Sequence, residues 1–104
     1  MLNQLMAVDP ALKALAHPTR RAMLRLVWDH ERTSSAIAGD LGLSRPATSQ
    51  HLKVLRQAGL VHVRVDGNQR LYRVDFDLLA QVRAQLEGFW GDRLGRLATA
   101  ARRR

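Results

Sequence analysis

Arg45, Ser49, Gln50, Lys53, Arg56 and Gln57 are the residues of this chain best equipped for recognition chemistry, and their spacing puts them on one side of a helix. At about 100° per residue they fall, together with Pro46, inside an arc of roughly 140°. Val54, Ala47, Ala58, His51, Leu55, Thr48 and Leu52 fill the opposite side. The polar side holds cations, amides and a hydroxyl, and no carboxylate. A merely solvated face ordinarily mixes signs, so this composition points to an anionic partner with hydrogen-bonding edges. Duplex DNA is such a partner. Arginine grips O6 and N7 of guanine, glutamine reads N6 and N7 of adenine, and serine bonds either. Ser44 stands where it can cap the helix, and the free N–H groups and positive dipole end there favour phosphate.

The whole chain has the same bias. Its 104 residues carry 17 Lys and Arg against 9 Asp and Glu, a net charge of +8. The only lysines are Lys13 and Lys53; the remaining cations are arginines, whose planar fork suits phosphate and guanine. Other chemistries lack their parts. There is no cysteine, which removes disulfides, thiolate metal sites and thiol redox switches. No Ser/His/acid constellation, carboxylate pair, phosphate-cradling glycine loop or metal box is found, and the only glutamates are Glu31 and Glu87. An enzyme is therefore not expected, and neither is a cofactor. His17, His30 and His62 look isolated and read as caps or surface residues. For His51, on the apolar side of the wheel, a base contact and a partly buried structural role both stay open.

Five helices and a hairpin must position these groups. Asp9-Pro10 opens a first helix running through Ala16, and His17-Pro18 interrupts it, because a residue before proline is pushed out of helical geometry. A second helix starts at Pro18 or Thr19 and fades near Asp29–Glu31. Thr33 or Ser34 caps a short third helix that Gly42 ends. Ser44 then caps the fourth, which ends at Gly59. Two helices joined by a short glycine-containing turn match a helix-turn-helix. After Gly59 the period becomes two: Val61 to Val65 alternate, Asp66-Gly67-Asn68-Gln69 turn, and Arg70 to Val74 return, a hairpin. Arg64, Arg70 and Arg73 bracket its small polar tip, a composition suited to lying beside a DNA backbone or in a minor groove. A plain solvent-exposed hairpin is the alternative. A long fifth helix follows from Asp75.

The predicted class is mainly α with a small β-hairpin, a winged helix-turn-helix in the order α-α-α-α-β-β-α that dimerises through its terminal helices. The expected organisation is one domain over 1–104, with a recognition helix at 44–58, a wing at 60–74 and a dimerisation helix at 75–101. The expected DNA contacts are Ser44, Arg45, Thr48, Ser49, Gln50, His51, Lys53 and Arg56 on the fourth helix and Arg64, Asn68, Gln69 and Arg70 on the wing. The expected dimer contacts are Leu5, Leu12, Leu79, Leu86, Phe89, Trp90, Leu94 and Leu97. A helix of more than about twenty residues outreaches so small a domain, although its apolar residues could also fold back on a monomer. The first residues lack the basic region of a signal peptide, and no run approaches the ~20 apolar residues of a membrane span, so a cytoplasmic protein is expected.

Three segments resemble the ArsR/SmtB family of winged-helix repressors: LAHPTRR from Leu15, SRPATSQHLKVLRQAGLV from Ser44, and DGNQRLYRVD from Asp66. The similarity extends from about Pro10 to Leu97, and the second segment with its following wing is highly specific. The resemblance implies a homodimer formed by the first and fifth helices, two recognition helices in successive major grooves, and repression of an operon by occluding its promoter. Many members release DNA on binding a metal. The positions of their Cys-x-Cys pair fall here on Thr33 and Ser35, and those of their second site on Phe76, Leu78, Phe89 and Asp92, of which only Asp92 keeps a donor. The chain is therefore similar to the metal-independent branch, and no small-molecule effector is assigned. Position 17, usually acidic in the family, is histidine here. A non-specific architectural DNA binder is the competing function; the amide-bearing face argues against it, since phosphate binding alone needs no base-reading groups.

Overall fold

The computed structural model describes the backbone of residues 2–103, and the side chains of those residues except 2–7, 89, 90, 92 and 94. Its first helix, α1 (Leu2–Leu15), begins earlier than the Asp9-Pro10 opening expected from sequence and carries Pro10 inside it. An internal proline costs a helix about 3 kcal/mol. The helix continues through it because the buried stripe starts before it: Val8, Ala11 and Ala14, three residues apart, are all buried in the core. Two arginines close its far end. Arg20 donates from Nε to the Ala14 carbonyl (2.8 Å) and from Nη2 to the Lys13 carbonyl (3.2 Å), and Arg21 donates to the Leu15 carbonyl (2.7 Å). These cations donate to the last-turn carbonyls of α1, of which that of Lys13 also accepts the Ala16 N–H at 3.3 Å.

His17 breaks the chain with extended backbone (φ −92°, ψ 124°) and caps α2 (Pro18–Leu26), its Nδ1 accepting from the Thr19 N–H at 3.1 Å. Thr33 caps α3 (Ser34–Leu41), and Gly42 ends it at φ 63°, a left-handed conformation that only glycine enters without strain. Ser44 caps α4 (Arg45–Gln57), its Oγ accepting from the Ala47 N–H at 3.2 Å. At the other end Leu60 N–H bonds the Leu55 carbonyl and Gly59 N–H bonds the Arg56 carbonyl, both at 2.9 Å, a Schellman closure with Gly59 at φ 78°. A Cβ at Gly59 would also meet Leu78 Cδ2 at 3.1 Å.

The sheet has three antiparallel strands in the order β1-β3-β2: β1 (Arg32–Thr33), β2 (Val61–Asp66) and β3 (Gln69–Val74). The hairpin turns through Gly67-Asn68 between paired Asp66 and Gln69, with Gly67 at φ 61°. Glycine first in a two-residue loop suits the right-handed twist of the strands. β1 was not expected: two residues carry no period, and it exists only because the segment after α2 lies along β3, pairing Arg32 with Tyr72 and Thr33 with Leu71. Asp75 caps α5 (Phe76–Arg102), its Oδ1 accepting from the Leu78 N–H at 3.0 Å.

Met23, Ile37, Leu52, Leu55 and Leu60, from α2, α3, α4 and the link to β2, form the centre of the core, joined by Tyr72, Val74 and Val82. At 27 residues α5 is about 40 Å long. The molecule accordingly spans 58 × 30 × 22 Å with a radius of gyration of 16.8 Å, against about 13 Å for a compact chain of this length. The far half of α5 extends past the core. Among the described residues no helix is long and apolar enough to cross a membrane.

Candidate nucleic-acid interface

The two sides of α4 separate as the sequence pattern requires. Thr48, Leu52 and Leu55 are buried against the core, and Ala47, His51, Val54 and Ala58 are half-buried. Arg45, Pro46, Ser49, Gln50, Lys53, Arg56 and Gln57 are all exposed. The carboxylate-free side therefore faces outward, held by an amphipathic helix whose apolar stripe decides its rotation.

Two of the expected contacts on this helix change role. Thr48 is 1% exposed, and its hydroxyl donates to the Ser44 carbonyl at 2.8 Å. It fastens the first turn of α4 and offers nothing to a groove. His51 packs against His17, ring centroids 4.7 Å apart, and leans into the domain. Ser44 is exposed but its Oγ is occupied by the cap.

The wing is also divided. Strand register sets Arg70 opposite Val65 and Tyr72 opposite Val63, so these share one face of the ribbon; Arg64 opposite Leu71 and Arg73 opposite His62 lie on the other. The first face looks toward α4. Ser49, Leu52, Lys53, Arg56, Arg70 and Tyr72 line a cleft of about 300 Å³ between the helix and the wing. Its charged groups are all cations. A smaller recess of about 210 Å³ joins Ser34 and Ser35 at the start of α3 to Arg45 and Ser49. Together they form a continuous surface of guanidinium, ammonium and hydroxyl donors. Arg64, expected beside Arg70, stands apart: its Nε donates to Glu31 Oε2 at 2.9 Å, and that hydrogen bond raises its pKa above the ordinary arginine value. Paired with a carboxylate on the opposite face, this guanidinium is a tether for the wing. Asn68 and Gln69 are exposed at the tip.

Sequence reasoning missed the work of several other residues. His17 is the α2 cap, one of the roles expected for it, but it also contacts His51, and His62 lies 3.0 Å from Asp75 Oδ2, so neither is isolated. Arg20 and Arg21, counted in the basic excess, are engaged by α1 carbonyls. The available signal was their position just past the end of a helix, where cations meet free carbonyls.

Of the expected dimer contacts, Leu79 and Leu86 pack half-buried against this chain's own core, whereas Leu12 (37% exposed) and Leu97 (61%) are open. The side chains of Leu5, Phe89, Trp90 and Leu94 lie outside the described residues. The positions that would hold a metal do not fit one. The Thr33 hydroxyl is engaged as the α3 cap, Phe76 lies edge-on to Trp28 at 5.0 Å, and Leu78 packs on the core. Among the described residues no group of three His, Asp or Glu comes together.

The sequence profile of the bacterial regulatory proteins of the arsR family matches residues 17–63, from the α2 cap into β2. The HTH-type transcriptional regulator Rv2034 of Mycobacterium tuberculosis is 45% identical over 82 residues, covering 79% of this chain and 77% of its own length. The solved structure of an ArsR-like transcriptional regulator from Rhodococcus superposes with a TM-score of 0.80 at 26% identity, over 96% of this chain and 94% of that one. A homodimeric winged helix-turn-helix DNA-binding domain from Mycobacterium bovis superposes with a TM-score of 0.65 at 34% identity, over 82% of each chain. The carboxylate-free helix, the wing set against it and these relatives agree: the chain belongs to the arsR family of bacterial regulatory proteins, transcription regulators built on a winged helix-turn-helix.

Proposed function

We propose that this chain represses transcription as a homodimer that binds a pseudo-palindromic operator, in the cytoplasm where the chromosome lies. The observation that carries this reading is the outward side of α4, on which Arg45, Ser49, Gln50, Lys53 and Arg56 stand exposed with no carboxylate among them. Gln50 and Arg45 read base edges, while Lys53, Arg56 and Arg70 hold phosphates along the cleft between helix and wing. The projecting half of α5, with Leu97 and, from α1, Leu12 open, offers apolar surface to a second copy, as in the homodimeric Mycobacterium bovis domain. A two-fold dimer then places its two α4 helices about one helical turn (~10 bp) apart along the duplex. A dimer seated on a promoter excludes polymerase, which is repression, including of its own gene.

Binding-site selection from genomic fragments with the purified protein tests this. The expected product is one motif with two inverted half-sites at that spacing. Gln50→Ala is expected to weaken binding to the selected site more than to random duplex. A protein that binds promoter fragments and random duplex alike would be an architectural binder, and the regulator reading would fail.

A further inference from the structure

The recognition helix is seated on the domain through one polar contact that hydrogen bonding does not satisfy. Among the described residues, His51 Nδ1 is the buried side-chain polar atom with no hydrogen-bond partner. Its ring lies on that of His17, centroids 4.7 Å apart and planes tilted by 55°. His17 is fixed in place, because its Nδ1 receives the Thr19 N–H as the α2 cap. Arg20, on the first turn of α2, is fixed as well by its bonds to the Ala14 and Lys13 carbonyls.

A neutral His51 fits this setting. A protonated one brings a second N–H donor where no acceptor faces it, and a positive charge against Arg20 and against His17 whenever that ring is charged. Burial first, then His17 and Arg20, hold the pKa of His51 below the ordinary histidine value of 6.5. Among the described residues no packed element supplies a compensating carboxylate. On α3, Asp40 is bound to Arg32; near β2, Asp75 pairs with His62 and Glu31 with Arg64. On α1, Asp9 and Lys13 are exposed. The remaining charges of α4, Arg45, Lys53 and Arg56, are cations on its outward side.

We infer that the His17–His51 contact is a proton-sensitive seat for the recognition helix: proton uptake there loosens α4 from α2 and weakens duplex binding in mildly acidic conditions. The inference rests on the DNA-binding function proposed above and adds a control to the same surface. Its sign follows from linkage. The seated state takes up the proton less readily than the unseated one, so the seat is fully stable above the ordinary histidine range and is lost as pH falls below it. Simple attraction to phosphate has the opposite sign, since acid charges histidines and should tighten binding to a polyanion.

The test measures affinity of the full chain for its selected duplex at about pH 7.5 and about pH 5.5 at constant salt, alongside Tm without DNA. Acid should lower the affinity by about three- to tenfold and lower Tm over the same range. His51→Gln, which cannot titrate, should abolish both responses. His17→Asn keeps an acceptor for the Thr19 N–H and removes the imidazole against His51; it should hold Tm at neutral pH to within about 2 °C while shrinking both acid responses. Unchanged or tighter binding in acid by the native chain overturns the proposal. So does an acid loss of equal size in both variants, which would trace the response to His30 or His62. Failure to bind any duplex at neutral pH would overturn the regulator function and this control together, whereas a pH-insensitive, sequence-specific binder overturns the control alone.

Discussion

The wing arginines offer the sharpest quantitative check, because composition treats Arg64 and Arg70 as equivalent and the structure does not. Arg70 lines the cationic cleft with Lys53 and Arg56, whereas Arg64 is bound to Glu31 on the other face of the ribbon. Each phosphate contact contributes about 0.9 to the slope of log affinity against log salt. In a homodimer Arg70→Ala removes two, so the slope should flatten by about 1.8. Referred to a 1 M standard, that is a loss of about 30-fold in affinity near 0.15 M salt, for selected and random duplex alike. Arg64→Ala should leave the slope within about 0.5 of the native value, since its charge is already matched by a carboxylate. Fluorescence anisotropy on a labelled duplex at four or more salt concentrations measures both. If Arg64→Ala flattens the slope as much as Arg70→Ala, the division of the wing into a DNA-facing and a tethered side is wrong.

Two further outcomes follow from the same geometry. Thr48→Val removes a buried donor but leaves the Ser44 carbonyl bonded to the Thr48 N–H at 3.0 Å, so it should cost about 0.5–1.5 kcal/mol of stability. The selected motif should not change, and a base preference altered by this variant would return Thr48 to the DNA surface. Leu97→Glu puts a charge on the open part of α5 and should shift the mass at micromolar concentration from dimer toward monomer by light scattering; a dimer of unchanged mass would place the interface elsewhere.

Much of the architecture was legible because local rules decide it. Caps and breakers set the bounds of α3 and α4 within a residue or two, with Thr33 and Ser44 in front and Gly42 and Gly59 behind, whereas α2 starts at Pro18 as read but ends at Leu26, short of the expected Asp29–Glu31. Period set the rotation of α4, since a helix with one apolar stripe can bury it in only one orientation. α1 was misjudged at Pro10 because a proline reads as a helix opening, while the buried stripe that overrides it begins at Val8, two residues earlier. β1 was invisible because its two residues become a strand only by lying beside β3.

The candidate site divides in the same way. Which residue types can meet a duplex, and on which side of α4 they stand, was determined by the sequence itself, because helical periodicity and charge are local properties. Which of them are at liberty to do so was decided by tertiary contact. Glu31 and Arg64 are 33 positions apart, and His17 and His51 are similarly remote in the chain. No period or motif reports such a pairing. Thr48 was turned inward, Arg64 paired, Arg20 and Arg21 drawn to α1 and His51 set against His17 only when the helices packed, since the partners of a polar group depend on distance in space rather than along the chain.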